Sequence, residues 1–273
     1  MKPRNPPPQE MMKSINRLSL DALTAGDKTQ MKRFTESLNQ NGFAVVHLEG
    51  DHDAGTLSTS LFQCRNMNEF RFPPIDGSVQ YLDAHMECFK VLFRITRCCL
   101  QALLMTSKEH NSAKEALLDA LEASFSPDYK LFFPPGKDAQ PFPSNDVAFS
   151  TSFLNIFNYD HGLLNTHRDR CLVTAISVNQ NRAVDAPKSA LWVKGREGEW
   201  VNTDALVGDN EVVILVGEEL QKLAESLNVP VWAAEHCIRV DPHGPNLERA
   251  HHRSDPATPK TGNRLSAALV LSH

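Results

Sequence analysis

His167-Arg168-Asp169-Arg170-Cys171-Leu172-Val173-Thr174-Ala175-Ile176-Ser177-Val178 is the stretch on which the reading of this chain turns. From Cys171 to Val178 the residues are apolar or small and rich in β-branched types, with no charge. That is the pattern of a short strand. Comparable runs surround it. Val147–Tyr159, Ala190–Val193, Glu211–Val216, Val231–Val240 and Arg264–Leu271 read as further strands, with turn-forming residues between them. One short helix, Glu218–Leu227, interrupts this half.

Working outward toward the N-terminus, the texture becomes helical. Met31, Phe34 and Leu38 recur at helical spacing after Asp27, and Gly42 is placed to end that helix. Phe43-Ala44-Val45-Val46-His47-Leu48 then reads as a buried strand. Residues 54–70 are expected to form another helix. Tyr81–Leu104 is apolar over more than one face, so it should pack against the core, and Ser112–Phe125 is amphipathic. Lys130–Asn145, rich in proline and glycine, reads as a loop. Residues 1–15 read as a flexible tail, because Pro3, Pro6, Pro7 and Pro8 interrupt regular structure. Short strands after a helical first half predict a mainly β fold with helices, a sandwich or jelly roll with helices packed on it. The change of texture near residue 145 divides 16–273 into a helical part, 16–145, and a strand-rich part, 146–273, within one domain.

The bulk composition narrows the partners. At 273 residues, 41% hydrophobic and 22% charged, the chain can bury a substantial core. A net charge of −5 leaves no basic excess to drive nucleic-acid binding. No apolar run reaches the roughly 20 residues needed to span a bilayer, and Met1–Glu10 lacks the apolar stretch of a signal peptide. Of the six cysteines, none forms a Cys-x-x-Cys pair. Reduced, buried thiols in a cytoplasmic protein are expected, with the nucleus left open. Oligomeric state is not legible.

The chemistry concentrates in three places. His167 and Asp169 stand two apart, so in extended chain they share a face. His236 lies far along the sequence in another predicted strand. Two neutral imidazoles and one carboxylate make the facial donor set that suits Fe(II) and leaves coordination positions open. Arg264-Leu265-Ser266 sets a guanidinium and a hydroxyl on one face of a late strand, where they can bind a carboxylate through charge-assisted hydrogen bonds. His-x-Asp alone is a weak signal in a chain with 11 histidines. The ordered set of His-x-Asp, distant His and Arg-x-Ser is far more specific.

In this order the motifs resemble the isopenicillin N synthase-like branch of the 2-oxoglutarate/Fe(II) dioxygenase superfamily. Asn158-Tyr159 resembles the family's Asn-Tyr motif, and His167-Arg168-Asp169 followed by Leu172-Val173-Thr174 resembles its ligand pair and downstream threonine. Leu191-Trp192-Val193 with Gly198-Glu199-Trp200-Val201 is similar to its hairpin. The run from Val212 to Gln221, through Gly217, resembles its strand–glycine–helix step. Ala234–Val240 is similar to the distal-ligand strand, and Arg264-Leu265-Ser266 closes the set. The likeness is close after residue 155 and looser at Leu38–Val46. It implies a double-stranded β-helix (jelly-roll) core flanked by N-terminal α-helices. It also implies Fe(II) on His167, Asp169 and His236, with 2-oxoglutarate as co-substrate on Arg264, Ser266 and Tyr159. Ascorbate is an expected stimulant. The implied activity is oxidation, chiefly hydroxylation, of a small molecule by O2, with release of succinate and CO2. A same-fold Fe(II) oxidase that does not use 2-oxoglutarate, an oxygenase acting on a protein, and a non-catalytic metal-binding protein are the competing readings.

Other residues invite a sharper and a plainer reading. His161 beside Gly162 reads as a turn residue before a ligand, and His251-His252 as part of a solvated loop before a second metal site. Asp241–Asn263 reads as a surface loop or a lid. Trp192 and Trp200 suit either a substrate pocket or packing. Arg239 reads as a surface ion pair before a contact to an acidic substrate, and Phe153 and Phe157 as core packing before pocket lining.

Overall fold

A computed structural model describes residues 17–49, 55–57, 59, 69–72, 83–125, 152–159, 164–178, 189–208, 210–240 and 264–272. For 69–72, 83–86, 123–125, 158–159, 240 and 264–265 it describes the backbone alone. The predicted tail over residues 1–15, the loops Lys130–Asn145 and Asp241–Asn263, and the residues Cys64, His161, His251 and His252 lie outside these.

Strand β1 (Arg17–Ser19) runs into helix α1 (Leu20–Thr24), where Ser19 Oγ caps by accepting the Ala22 N–H at 2.9 Å. Helix α2 (Lys28–Asn41) starts at Asp27, whose carboxylate accepts the Gln30 N–H at 2.9 Å. It stops at Gly42, which turns into the left-handed region with φ 75°. Met31, Phe34 and Leu38, the residues whose spacing predicts this helix, are among its buried ones. The first half continues with β2 (Phe43–His47), β3 (Glu69–Phe72), α3 (Asp83–Thr106) and α4 (Ser112–Phe125). The second half holds β4 (Phe153–Tyr159), β5 (Leu164–His167), β6 (Val173–Val178), β7 (Ser189–Lys194) and β8 (Trp200–Asn202). It goes on through a short 3-10 turn at Thr203–Ala205 to β9 (Glu211–Val216), α5 (Glu218–Ser226), β10 (His236–Val240) and β11 (Arg264–Leu271).

The strands form two sheets. The larger runs β1-β2-β9-β6-β11-β4-β3, and the smaller runs β5-β10-β7-β8. Every pairing is antiparallel except β1 with β2. Because side chains alternate along a strand, β2, β6 and β9 of the larger sheet each feed two cores. Ala44, Val46, Val173, Ala175, Val212, Ile214, Leu154, Ile156, Ala267 and Leu269 face the helices, where Leu92, Phe93, Ile95 and Leu100 of α3 meet them. Phe43, Val45, Ile176, Val178, Val213 and Leu215 face the other way and pack on Leu191, Val193 and Ile238 of the smaller sheet. Burial on both faces explains why β6 and β9 read as unbroken apolar runs rather than alternating ones.

The sheets and helices follow the predicted pattern, with four departures. The helix expected over 54–70 is helical at 55–57 and 59, but Glu69 and Phe70 belong to β3, which ladders onto β4. The strand expected over Cys171–Val178 begins only at Val173, because the carbonyls of Cys171 and Leu172 are drawn off to the start of α5. The strand expected over Val231–Val240 is reduced to β10. Its first half lies outside any ladder, and side chains take part of its hydrogen bonding instead. Strands β1, β3 and β5 carry too little apolar pattern to be foreseen. The five described cysteines are buried and form no disulfide with one another. Among the described residues no helix is long and apolar enough to cross a membrane.

Gly42 is constrained twice, since a Cβ there would also stand 2.5 Å from the Ala234 Cβ. Gly42→Ala should lower the free energy of unfolding by at least the roughly 1–2 kcal/mol of a left-handed non-glycine residue. Equilibrium unfolding followed by circular dichroism checks this.

Candidate metal centre

The centre grows from one cross-strand pair. In the β5–β10 ladder His167 stands directly opposite His236, and their ring centroids lie 4.3 Å apart. Strand β10 is held on its other side by a five-residue register with β7, from His236 opposite Val193 to Val240 opposite Ser189. His236 and Ile238 therefore face the inter-sheet core, while Cys237 and Arg239 face away from it.

Each histidine is oriented in the same way. His167 Nδ1 lies 2.8 Å from the carbonyl of Asn165, and His236 Nδ1 lies 3.2 Å from that of Ala234, in each case two residues upstream. A carbonyl only accepts, so the hydrogen of the neutral ring sits on Nδ1 and Nε2 presents its lone pair. Both Nε2 atoms face one oxygen, Asp169 Oδ1, at 3.6 Å each. The ligand atoms of the three residues lie within 4.8 Å of one another, the one such cluster of His, Cys, Asp or Glu among the described residues. Two cis donors about 2.1 Å from an ion stand about 3 Å apart, so small side-chain movements would suffice to close the set on a metal. The donor chemistry also fits: two neutral imidazoles and one carboxylate, without thiolate, suit Fe(II).

Asp169 is not in a strand. It opens the turn 169–172, and the start of α5 holds that turn by its backbone. The Glu218 N–H donates to the Asp169 carbonyl at 2.8 Å, the Glu219 N–H to that of Cys171 at 3.2 Å and the Gly217 N–H to that of Leu172 at 2.9 Å. Helix-start N–H groups lack partners inside the helix, and here they find them in this turn. The approach is so close that a Cβ on Gly217 would sit 1.9 Å from the Cys171 carbonyl oxygen. At the side chain, Thr174 Oγ1 donates to Asp169 Oδ2 at 2.6 Å, which leaves Oδ1 for the histidines.

Electrostatics follow from this packing. Burial alone would push the Asp169 carboxyl up, but the imidazoles of His167 and His236 and the Thr174 hydroxyl outweigh it and hold it far below the usual carboxylate range. The Asp169 carboxylate in turn raises His167 against the opposing effect of burial. Cys171, with its Sγ 3.3 Å from Thr174 Oγ1, is pushed up to about 12, first by burial and then by the Asp169 charge. It stays a thiol at neutral pH and offers no competing thiolate. Side-chain exposure is 37% for His167, 17% for Asp169 and 6% for His236, so the centre opens on the β5 side.

The remaining singled-out residues distribute as follows. On β11, Arg264 stands opposite Tyr159 in the ladder with β4, and Ser266, which is fully buried, stands between Phe157 and Val178. The side chains of Arg264 and Tyr159 are outside those described. Phe153 and Phe157 are half-buried on the face of β4 turned away from Leu154 and Ile156, hence toward the inter-sheet side. Trp192 and Trp200 lie on the opposite face of the smaller sheet from His236 and pack there. Between them the Arg239 guanidinium stacks, 4.2 Å from the Trp192 ring and 5.1 Å from the Trp200 ring, in place of the surface ion pair expected of it. Residue patterns alone did not single out the roles of Thr174 and Gly217. The only sequence signals were the position of Thr174 after the carboxylate and of glycine at a strand-to-helix step.

No protein-family model matches the sequence, and no curated protein matches it. Solved structures do match in fold. A full-length Neurospora crassa protein, crystallised in complex with alpha-KG, superposes with a TM-score of 0.53 over 94% of this chain and 84% of its own, at 12% identity. JOX2, in complex with 2OG, Fe and JA, gives 0.52 over 98% and 83%, also at 12% identity. A Caulobacter crescentus protein assigned to the 2OG-Fe(II) oxygenase family gives 0.52 over 95% and 87%, at 13% identity. The chain thus has the fold that these proteins share.

Asp169→Asn removes the charge that raises His167. In metal-free protein the His167 titration should move down toward the ordinary imidazole value of about 6.5, and histidine ring NMR signals followed against pH check it.

Proposed function

We propose that this protein is a 2-oxoglutarate- and Fe(II)-dependent dioxygenase that hydroxylates a small organic molecule with release of succinate and CO2. Its two sheets would then be the double-stranded β-helix, or jelly-roll, core of that superfamily. The observation that carries the reading is the convergence of His167 Nε2, His236 Nε2 and Asp169 Oδ1. The shared fold supports it, as do the 2-oxoglutarate and iron named for the neighbouring structures.

In this reading His167, Asp169 and His236 hold Fe(II). Bound iron and 2-oxoglutarate supply O2 activation and the oxidising power, which no side chain of this chain has. The protein contributes donors and their orientation. The two imidazoles bind as neutral ligands because their Nδ1 hydrogens are committed to carbonyls. Asp169 brings a single negative charge, and Thr174 keeps its second oxygen occupied. A three-residue face leaves room for a chelating co-substrate and O2.

Arg264 and Ser266 would bind the distal carboxylate of 2-oxoglutarate. Their i, i+2 spacing on β11 supports this, as does the burial of Ser266, which shields the hydroxyl from water. Tyr159, opposite Arg264 in the backbone ladder, would assist. Small molecules would reach the centre from the β5 side, where His167 is exposed, while His236 sits against the core.

Two measurements test this reading. Incubation with Fe(II), 2-oxoglutarate, ascorbate and a metabolite library should release succinate above the level of a His236→Ala variant; equal release from both would refute the assignment. Arg264→Ala should weaken 2-oxoglutarate binding, measured calorimetrically on the Mn(II)-loaded protein, by tenfold or more. That is what loss of a charged hydrogen bond worth about 1.5–3 kcal/mol implies, and Mn(II) affinity itself should hold.

A further inference from the structure

We propose that Gln221 is a positioning residue of the metal centre, through which helix α5 ties the Asp169 half of the centre to the His236 half. The proposal rests on the reading of His167, Asp169 and His236 as metal ligands.

Two sets of hydrogen bonds leave α5. The first is the grip of its first turn on the carbonyls of Asp169 and Cys171, described above. The second starts one step further along the nine-residue helix, where Gln221 reaches out sideways. Its Oε1 accepts the Ala233 N–H at 2.8 Å, while its Nε2 donates to Glu225 Oε1 at 2.9 Å. Ala233 is followed by Ala234, and the carbonyl of Ala234 is the one that orients the His236 ring. From the Asp169 carbonyl to the His236 imidazole there is thus a continuous path through one rigid helix.

The stretch 231–235 needs this support. It sits outside the β10 ladder, so its backbone groups must find partners elsewhere. The Lys194 N–H donates to the Glu235 carbonyl at 2.8 Å, and Trp232 Nε1 donates to the Asn39 carbonyl at 3.1 Å. Ala233 is buried, and its N–H has Gln221 as its partner. Without that acceptor a buried donor is left unsatisfied. The chain then shifts to reach water or another acceptor and carries the Ala234 carbonyl with it. The His236 ring loses its fixed orientation, although no ligand has been touched.

The test uses Co(II) as an oxygen-stable probe, with the full chain and its visible absorption. Gln221→Leu keeps the size of the side chain but removes the acceptor. It should weaken Co(II) binding on the order of tenfold, the scale seen when a hydrogen bond behind a metal ligand is lost, and should alter the Co(II) absorption bands. Gln221→Glu made together with Glu225→Gln keeps an oxygen facing Ala233 and a donor–acceptor pair along the helix, and should retain wild-type affinity and bands. Glu225→Ala breaks the other hydrogen bond of the same side chain and should leave Co(II) binding unchanged. Should Gln221→Leu not fold, Gln221→Asn, too short to reach Ala233, carries the same expectation. Wild-type affinity and bands in Gln221→Leu would overturn the proposal while leaving the ligand assignment intact. So would equal losses in Glu225→Ala, which would mean that helix stability alone is being read. A wild-type chain that binds no Co(II) would overturn the ligand assignment and this inference together.

Discussion

The centre depends first on a register. His236 meets His167 only because β10 pairs with β5 in one alignment, and a slip of one residue would turn the imidazole to the far side of the sheet. The β5–β10 pairing itself shifts register between His236 and Ile238, so the regular alignment is supplied on the other flank of β10. There the ladder with β7 places Ile238 and Val193 in the inter-sheet core and leaves Trp192, Cys237 and Arg239 on the opposite face. The two faces differ sharply in character, so the alternative register would bury a guanidinium and expose an isoleucine. Apolar packing of the smaller sheet thus aims a polar side chain.

The second requirement is to keep a carboxylate charged in a largely buried place. Burial opposes the charge of Asp169, and the imidazoles of His167 and His236 together with the Thr174 hydroxyl overcome it. The start of α5 holds the backbone of the turn, with the Glu218 N–H donating to the Asp169 carbonyl. The geometry tolerates no side chain at residue 217, whose Cβ would collide with the carbonyl oxygen of Cys171. Here a glycine is needed for lack of space rather than for an unusual backbone angle, since its φ of −90° is open to any residue.

Much of this was legible in residue order. Asp27 and Gly42 mark the two ends of α2, and the predicted bounds of Ser112–Phe125, Glu211–Val216 and Arg264–Leu271 coincide with the observed elements, because capping residues and double-sided burial leave strong local patterns. His167, Asp169 and His236 could be picked out by residue type and spacing, and the structure brings them together. Strand β5 was not legible. Leu-Asn-Thr-His is short and largely exposed, so it carries no apolar alternation, and its strand character comes entirely from pairing with β10. The shortened β10 failed for the opposite reason. Val231–Glu235 is apolar enough for a strand, but its hydrogen bonds go to the Gln221 side chain and other distant groups, which no local pattern encodes. The tryptophans were ambiguous because alternation alone does not say which face of a sheet looks inward.

The position of β5 has a further consequence. In the described ladder it is the terminal strand of the smaller sheet, four residues long and backed by a single neighbour. Edge segments with few buried contacts open at a free-energy cost well below that of global unfolding. One imidazole of the centre therefore rides on a segment able to fray, while the other is anchored in the interior. Coordination would stitch the fraying border to the fixed part. Apparent metal affinity then includes the work of closing β5, and hydrogen exchange along Leu164–His167 would be coupled to occupancy by mass action.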